Sequence, residues 1–140
     1  MLKYPAIFTP EDSGFSIEFP DFQGCVSQGE NLEEALAMAE EALKGHIRCL
    51  IDINSNIPEP SDIQGEDIYS IPVEPEIAIP IMLQHIRKSE KLSQSDVARR
   101  VDIAYQSYQR LENAKGFNAS IKTLSKIAKV LGKRLDINFV

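Results

Sequence analysis

The first part of the chain alternates apolar and polar positions every two residues, which is the pattern of a half-buried β-strand. Residues 15–19, Phe-Ser-Ile-Glu-Phe, alternate without a break, and a turn-rich stretch separates them from an apolar segment at residues 4–9. This order predicts a β-hairpin. Shorter runs at residues 25–29 and 68–73 predict two further strands, the second at a sheet edge because Pro72 cannot donate a ladder hydrogen bond.

From residue 31 onward the apolar positions recur every three or four residues, as they do along one face of an α-helix. Asn31 can cap this helix, and Glu34 stands three residues later, as in a capping box. The apolar face consists of Leu32, Ala35, Leu36, Ala39, Leu43, Ile47 and Leu50. We therefore expect a helix laid across a small sheet.

The second half of the chain has the pattern of four helices and a final strand. Pro80 can begin the first helix, since a helix start needs no amide hydrogen there, while Ser93 and Ser120 can cap the second and the fourth. The third occupies residues 105–113. Residues 135–139 alternate like a strand, for which a second copy across a dimer axis is one candidate partner. The predicted fold class is therefore α+β, a small sheet with a packed helix followed by an all-α domain with a C-terminal strand.

The charge of the chain changes at the same point as its periodicity. The whole chain carries 15 Lys and Arg against 21 Asp and Glu, a net charge of -6. Residues 1–79 carry 3 against 16 and residues 80–140 carry 12 against 5, so the halves have net charges of -13 and +7. An acidic half repels phosphate and a basic half attracts it, which indicates two partners of opposite charge. We place the domains at residues 1–76 and 77–140, joined by a proline-bounded linker at residues 75–80.

Composition and the remaining motifs narrow the class of protein. An apolar share of 43% is that of an ordinary globular protein. No apolar run is long enough for a signal peptide or a membrane span, so we expect a cytoplasmic protein without membrane contact. Cys25 and Cys49 lack the close spacing of a metal motif, and His46 and His85 stand far apart. We therefore expect two reduced thiols, buried or half-buried, without a metal or cofactor. Because each half is small, we also expect a homodimer or homotetramer.

Residues 92–113 hold the most specific pattern in the chain, a capped helix, a short turn and a second helix. The spacing of the second helix directs Ala104, Tyr108 and Leu111 inward. Its outward positions are then Tyr105, Gln106, Gln109 and Arg110. Gln pairs bidentately with adenine and Arg with guanine in a major groove, and Gln94 at the start of the first helix can approach a phosphate. The alternative is a four-helix domain whose outward polar side chains are only solvated.

The same segment closely resembles the helix-turn-helix of the Cro/C1 family of phage-type repressors. The matching run is Leu92-Ser93-Gln94, Val97-Ala98, Val101, Tyr105-Gln106-Ser107 and Arg110-Leu111-Glu112-Asn113. The resemblance implies a phosphate contact for Gln94, base reading for Tyr105, Gln106 and Arg110, and a structural role for Glu112. The predicted contacts with double-stranded operator DNA are Gln94, Tyr105, Gln106, Ser107, Gln109 and Arg110.

Two positions depart from this family. Asp102 stands at the turn and Ala114 follows Asn113, whereas the family usually has glycine at the first position and often at the second. Asp tolerates a left-handed backbone better than most residues, so we expect the turn to form.

The acidic half resembles the HicB antitoxin family. The resemblance rests on residues 19–29, on Leu32-Glu33-Glu34-Ala35 and on Ile57-Pro58-Glu59-Pro60-Ser61, in the family's order. It implies a partial RNase-H-like fold and a partner, HicA, which is a small basic mRNA-cleaving toxin with a double-stranded-RNA-binding-like fold. Many HicB-like proteins add a C-terminal DNA-binding domain, and a strongly acidic surface fits a basic toxin. The candidate toxin contacts, which flank the end of the hairpin, are Glu18, Asp21 and Phe22.

Two other functions fit parts of the sequence. One is a stand-alone transcriptional repressor whose acidic domain dimerises or senses a small ligand. The other is a metal-dependent nuclease, because RNase-H-like nucleases gather carboxylates around two metal ions. Glu18 and Asp21 are available, but no acidic triad with convincing strand placement is present. We therefore favour a non-enzymatic antitoxin of a type II toxin-antitoxin system that inhibits a HicA-like toxin and represses its own operon.

Overall fold

Four antiparallel strands and one long helix form the first unit of the chain. The computed structural model describes residues 1–140, which divide into compact units at residues 1–75 and 76–140. The first unit contains β1 (Lys3–Pro10), β2 (Phe15–Glu18), β3 (Val26–Gly29), α1 (Leu32–Asp52) and β4 (Ile68–Pro72). The strand order is β3-β2-β1-β4, so the predicted hairpin forms the centre of the sheet and β4 forms an edge, as predicted.

The alternation of β1 and β2 decides which side chains enter the core. Phe8 stands opposite Ile17 in the antiparallel pair, and both are buried. The turn between the strands needs glycine at residue 14, where the backbone has a φ of +90°. A Cβ on Gly14 would lie 2.1 Å from the carbonyl oxygen of Gly29, so a larger residue is excluded by contact as well as by conformation.

The helix α1 packs closely on this sheet. The Asn31 side chain accepts a 2.8 Å hydrogen bond from the Glu34 amide, as the capping pattern predicts. The Glu34 carboxylate accepts from the amide of Glu30, one residue before the expected partner, at 3.0 Å. A Cβ on Gly29 would lie 2.5 Å from the backbone of Ala35, so glycine in β3 allows the helix to approach. The buried face of α1 consists of Ala35, Ala39, Leu43 and Ile47.

The segment between α1 and β4, residues 53–67, contains no helix or strand but is tied down at two points. The Tyr4 hydroxyl donates a 2.6 Å hydrogen bond to the Pro58 carbonyl oxygen. Burial raises the pKa of Tyr4, and the nearby Asp21 carboxylate raises it further, so the hydroxyl keeps the proton that this bond needs. The Asp21 carboxylate accepts from the Ser61 amide at 3.0 Å and from its hydroxyl at 3.2 Å.

Four helices form the second unit, as predicted. They are α2 (Pro75–Ser89), α3 (Gln94–Val101), α4 (Tyr105–Leu111) and α5 (Ile121–Val130). Their apolar faces meet in one core that contains Leu83, Val97, Ala98, Tyr108, Leu124, Ile127 and Leu131. The predicted α+β class is confirmed. None of the helices combines the length and the apolar character that crossing a membrane requires.

The predicted linker is instead the beginning of α2. This helix begins at Pro75, not at Pro80, and Pro80 lies inside it and is buried. A proline at the first helical position loses no hydrogen bond, whereas the inner proline removes the bond that an amide would donate to the Glu76 carbonyl. Burial of apolar side chains on this turn outweighs that loss, since Ile77 and Ile81 are also buried.

The predicted C-terminal strand is not formed within the chain. Residues 133–140 contain no strand, because a strand needs a hydrogen-bonded neighbour and this helical unit has none to offer. Leu135 packs on the core of the unit. Ile137 and Phe139 are 51% and 100% exposed, so the alternating residues have no partner in the single chain.

The turn between α3 and α4 forms without glycine, as expected. Asp102 ends α3 with φ 63° and ψ 51°, which is the left-handed conformation. Its amide donates back to the carbonyl oxygens of Ala98 and Arg99, so the last turn of the helix keeps its hydrogen bonds. Aspartate therefore fills a position for which glycine is the usual residue.

Candidate functional site

A polar groove lies between the start of α3 and the outer face of α4. It is an open cavity of about 410 Å³ lined by Gln94, Gln106, Gln109, Arg110 and Asn113. Four of these residues belong to the predicted DNA-binding set, and Asn113 does not. Tyr105 and Ser107, which complete that set, are exposed on the same helix. The fold thus brings residues of α3 and α4 to one surface.

The start of α3 is fixed by a capping box. The Ser93 hydroxyl accepts a 3.0 Å hydrogen bond from the Asp96 amide, and the Asp96 carboxylate accepts a 2.9 Å bond from the Ser93 amide. These hydrogen bonds lower the pKa of Asp96, so the carboxylate stays charged in its cap. Gln94 follows the cap directly, and its backbone position is therefore well defined.

The helix α4 is anchored by Tyr108. Its side chain is fully buried in the core, which turns the opposite side of the helix to solvent. The Tyr108 hydroxyl is buried without a hydrogen-bond partner. Burial raises the pKa of Tyr108, and the neighbouring Glu112 carboxylate adds to the rise, so the hydroxyl stays neutral.

A buried ion pair holds the end of α4 to α2. Arg87 donates to the two carboxylate oxygens of Glu112, from Nε at 2.7 Å and from Nη2 at 2.9 Å. The side chains are only 11% and 2% exposed, respectively. Arg87 also donates to the Leu92 carbonyl oxygen at 2.9 Å, and Gln84 donates to the Glu112 carbonyl oxygen at 2.8 Å. The hydrogen bonds that Arg87 donates to Glu112 raise the pKa of Arg87, so its guanidinium stays charged.

Hydrogen bonds connect this ion pair to the exposed surface. Gln94 Nε2 donates to Glu112 Oε1 at 3.2 Å, and the Tyr105 hydroxyl donates to Gln94 Oε1 at 3.5 Å. Gln109 Nε2 donates to the Tyr105 hydroxyl oxygen at 3.0 Å. Three members of the predicted DNA-binding set are thus linked to one another and to a buried carboxylate.

Two residues of this arrangement have no role predicted from the sequence. Asn113 lines the groove, and Arg87 forms the ion pair with Glu112. The family resemblance marks Glu112 as structural, but its bond to Gln94 joins residues 18 positions apart. No periodicity reveals that contact, because it depends on how α2, α3 and α4 pack together.

The predicted toxin contacts have three different environments. Glu18 ends β2 and is exposed. Asp21 is partly buried and holds Ser61 through two hydrogen bonds. Phe22 is only 3% exposed, and its ring packs edge-on against the rings of Tyr4 and His46. The ring centroids are 4.7 Å apart for Tyr4 and 5.5 Å apart for His46. Phe22 is therefore a core residue of the first unit, and its position flanking the end of the hairpin does not make it a surface contact.

The two cysteines are free thiols with different surroundings. Cys25 is buried, and its thiol donates to the Ala42 carbonyl oxygen at 3.6 Å. Burial raises the pKa of Cys25 to about 11. Cys49 is exposed. The structure contains no group of three or more His, Cys, Asp or Glu side chains arranged to hold a metal ion.

One known protein family matches most of this chain. The family described as HicB-like antitoxin of bacterial toxin-antitoxin system matches residues 4–116, which include the sheet unit, α3 and α4. A match of this extent covers most of the chain. The chain belongs to the HicB-like antitoxin family.

Individual relatives carry the same family name. Antitoxin HicB 1 of Photorhabdus laumondii is 28% identical over 138 residues, which are 98% of this chain and 86% of the relative. Antitoxin HicB of Escherichia coli K12 is 29% identical over 140 residues, which are 99% of this chain and 100% of the relative. The crystal structure of the Burkholderia pseudomallei antitoxin HicB aligns with 73% of this chain and 96% of its own, at 20% identity and a TM-score of 0.48.

Proposed function

We propose that the first unit neutralises a HicA-like mRNA-cleaving toxin and that the second unit represses the operon from which the chain is expressed. Family membership supports the antitoxin role, since the family belongs to toxin-antitoxin systems. The observation that carries the repressor role is the polar groove of α3 and α4, with its outward Gln and Arg side chains. Both roles are stoichiometric binding and need no catalysis. Because mRNA and operator DNA are cytoplasmic in bacteria, we propose that location.

The charge of the first unit supports binding to a basic toxin. Residues 1–79 carry 3 Lys and Arg against 16 Asp and Glu. A surface of this sign attracts a basic protein and competes with the phosphates of its RNA substrate. We propose that the toxin contact includes Glu18, which is exposed, and the adjacent Asp21 region. Phe22 is left out of the proposed contact because it is buried. We also propose that the fold of this unit is a partial RNase-H-like fold.

The second unit is proposed to bind double-stranded DNA as a Cro/C1-type helix-turn-helix. In such a domain the second helix of the pair lies in the major groove. This assigns base contacts to Tyr105, Gln106, Gln109 and Arg110, with Ser107 beside them and Gln94 near a phosphate. Between Asn113 and Leu135 the chain has six Lys and Arg and no Asp or Glu, which supports attraction of a DNA backbone.

The proposed repressor is a homodimer or homotetramer. A two-fold assembly reads two half-sites about one helical turn, or a small multiple of it, apart. The tail at residues 135–139 is the proposed contact between copies, because Ile137 and Phe139 are exposed, alternate with polar residues and have no partner in the single chain.

Co-expression with the small basic protein encoded beside this chain tests the antitoxin role. We expect a stable complex in an affinity pull-down and loss of mRNA cleavage when the chain is added. Glu18→Lys should weaken the complex, and Glu66→Lys, at an exposed acid elsewhere in the unit, is the matched control. If no complex forms while operator binding is intact, the stand-alone repressor becomes the better description.

A further inference from the structure

Glu112 imposes a direction on the hydrogen bonds that reach it. It is the only charged side chain that is buried in the structure. A carboxylate can only accept hydrogen bonds, and Arg87 and Gln94 are its donors. Gln94 must therefore turn its NH2 group toward Glu112. The opposite orientation would bring the carbonyl oxygen of Gln94 against the charged Oε1 of Glu112 and remove the hydrogen bond that Gln94 donates to it.

The orientation of Gln94 then decides the next two bonds. Its carbonyl oxygen faces the Tyr105 hydroxyl and accepts from it at 3.5 Å, the longest link in the series. The Tyr105 hydroxyl has only one proton, so its oxygen accepts from Gln109 Nε2 at 3.0 Å. The donors of Gln109, Tyr105 and Gln94 all point along the series toward Glu112.

We propose that Glu112 is a positioning residue that orients the Gln109 amide, through Gln94 and the Tyr105 hydroxyl, before DNA binds. This inference rests on the proposed DNA-binding function. With one N–H bound to Tyr105, Gln109 keeps its carbonyl oxygen and its second N–H for the groove that it lines. One acceptor beside one donor matches the N6 and N7 edge of adenine. The base assigned to Gln109 is therefore adenine.

The Tyr105 hydroxyl therefore positions Gln109, and the base contact proposed above for Tyr105 is left to its ring. The hydroxyl fixes the polarity of Gln109, whose amide would otherwise rotate and present its donor and acceptor in either order. A side chain ordered before binding loses less entropy on binding and rejects the wrong base more strongly. Base preference, more than total affinity, is the quantity that this arrangement controls.

Selection from a pool of random double-stranded DNA, followed by sequencing, tests the inference on the full chain. Tyr105→Phe removes the hydroxyl and keeps the ring. We expect it to reduce the preference for adenine at one position of each half-site by about fivefold or more. Affinity for a non-selected duplex should change by less than about twofold, since phosphate contacts dominate there. Tyr69→Phe is the matched control, because it removes a tyrosine hydroxyl from β4 of the first unit, outside the proposed DNA-binding unit.

A double-mutant cycle separates positioning from direct contact. In a Gln109→Ala background, Tyr105→Phe should no longer change base preference, because the group that it positions is absent. If Tyr105→Phe still changes it there, the hydroxyl touches DNA itself and the inference is wrong. Glu112→Gln, whose amide can present either polarity, should lose preference at the same position. An unchanged preference in a folded Glu112→Gln variant would contradict the role of Glu112.

The selection result for the unsubstituted chain, called the parent chain, distinguishes a failure of this inference from a failure of the proposed function. A parent chain that selects no sequence from the pool would overturn the DNA-binding function and the inference together. A parent chain that selects a sequence, with Tyr105→Phe selecting it equally well, would overturn the inference alone. If Glu112→Gln does not fold, the Tyr105→Phe cycle decides the question.

Discussion

Replacing Arg87 by methionine should strongly destabilise the second unit. The Glu112 side chain, which is 2% exposed beside Arg87, loses its donors at 2.7 and 2.9 Å and keeps the one from Gln94 at 3.2 Å. The Leu92 carbonyl oxygen also loses its bond from Arg87. Breaking a buried pair in this way costs about 3–5 kcal/mol, because the remaining charge is desolvated without compensation. We therefore expect a loss of that size in the free energy of unfolding.

Urea unfolding followed by far-ultraviolet circular dichroism measures this loss. Arg99→Met is the matched control, because Arg99 pairs with Asp96 at 2.8 Å but is 71% exposed. Removing that exposed pair should cost less than about 1 kcal/mol. The double variant Arg87→Met/Glu112→Leu should recover much of the loss, since no charge is then left buried. Equal costs for Arg87→Met and Arg99→Met would refute the argument from burial.

Three further predictions concern the core, the groove and the thiols. Phe22→Ala should lower the free energy of unfolding in urea by about 3–5 kcal/mol, because a buried ring is lost. A change near zero would show that Phe22 is not a core residue. Arg110→Ala should cost about 1–3 kcal/mol in operator binding and relax base preference at the position that it reads. Gln94→Ala should weaken binding to all duplexes through a lost phosphate contact and, because it breaks the link to Tyr105 and Gln109, reduce base preference only at the position that Gln109 reads. Unchanged specificity in Arg110→Ala would show that α4 is not the helix that reads the bases. Burial raises the pKa of Cys25 to about 11, so in native protein near neutral pH a thiol reagent should modify Cys49 first, and Cys25 should react faster as pH approaches 11. Equal rates for both cysteines would contradict this.

The elements that depend on local pattern could be predicted from the sequence. The hairpin of β1 and β2 and the helix α1 follow from periods of two and of three to four residues, since one face of each is buried. The turn at Asp102 also follows from a local preference, the tolerance of aspartate for a left-handed backbone. Three groove residues of α4, Gln106, Gln109 and Arg110, could be assigned because the inward side of the helix leaves them outward, although Ala104, which is predicted to face inward, is exposed. Gln94 could be assigned because it follows the cap of α3.

The elements that depend on distant contacts could not be predicted in the same way. Phe22 follows a turn and looks exposed locally, but Tyr4 and His46 enclose its ring. Pro80 resembles a helix start, yet burial of its neighbours carries α2 through it. The tail at residues 135–139 has the alternation of a strand, but alternation supplies no hydrogen-bond partner.

The two hydrogen-bond anchors on the segment between α1 and β4 change how that segment behaves. With Pro58 held by Tyr4 and Ser61 held by Asp21, the long connection is divided into short spans. Proteases need an extended stretch that can leave the surface, and short spans between fixed points resist this. Limited proteolysis of the native protein should therefore spare residues 57–61. Tyr4→Phe or Asp21→Ala, each of which removes one of these hydrogen-bonding groups, should open that stretch to cleavage while the sheet itself remains folded.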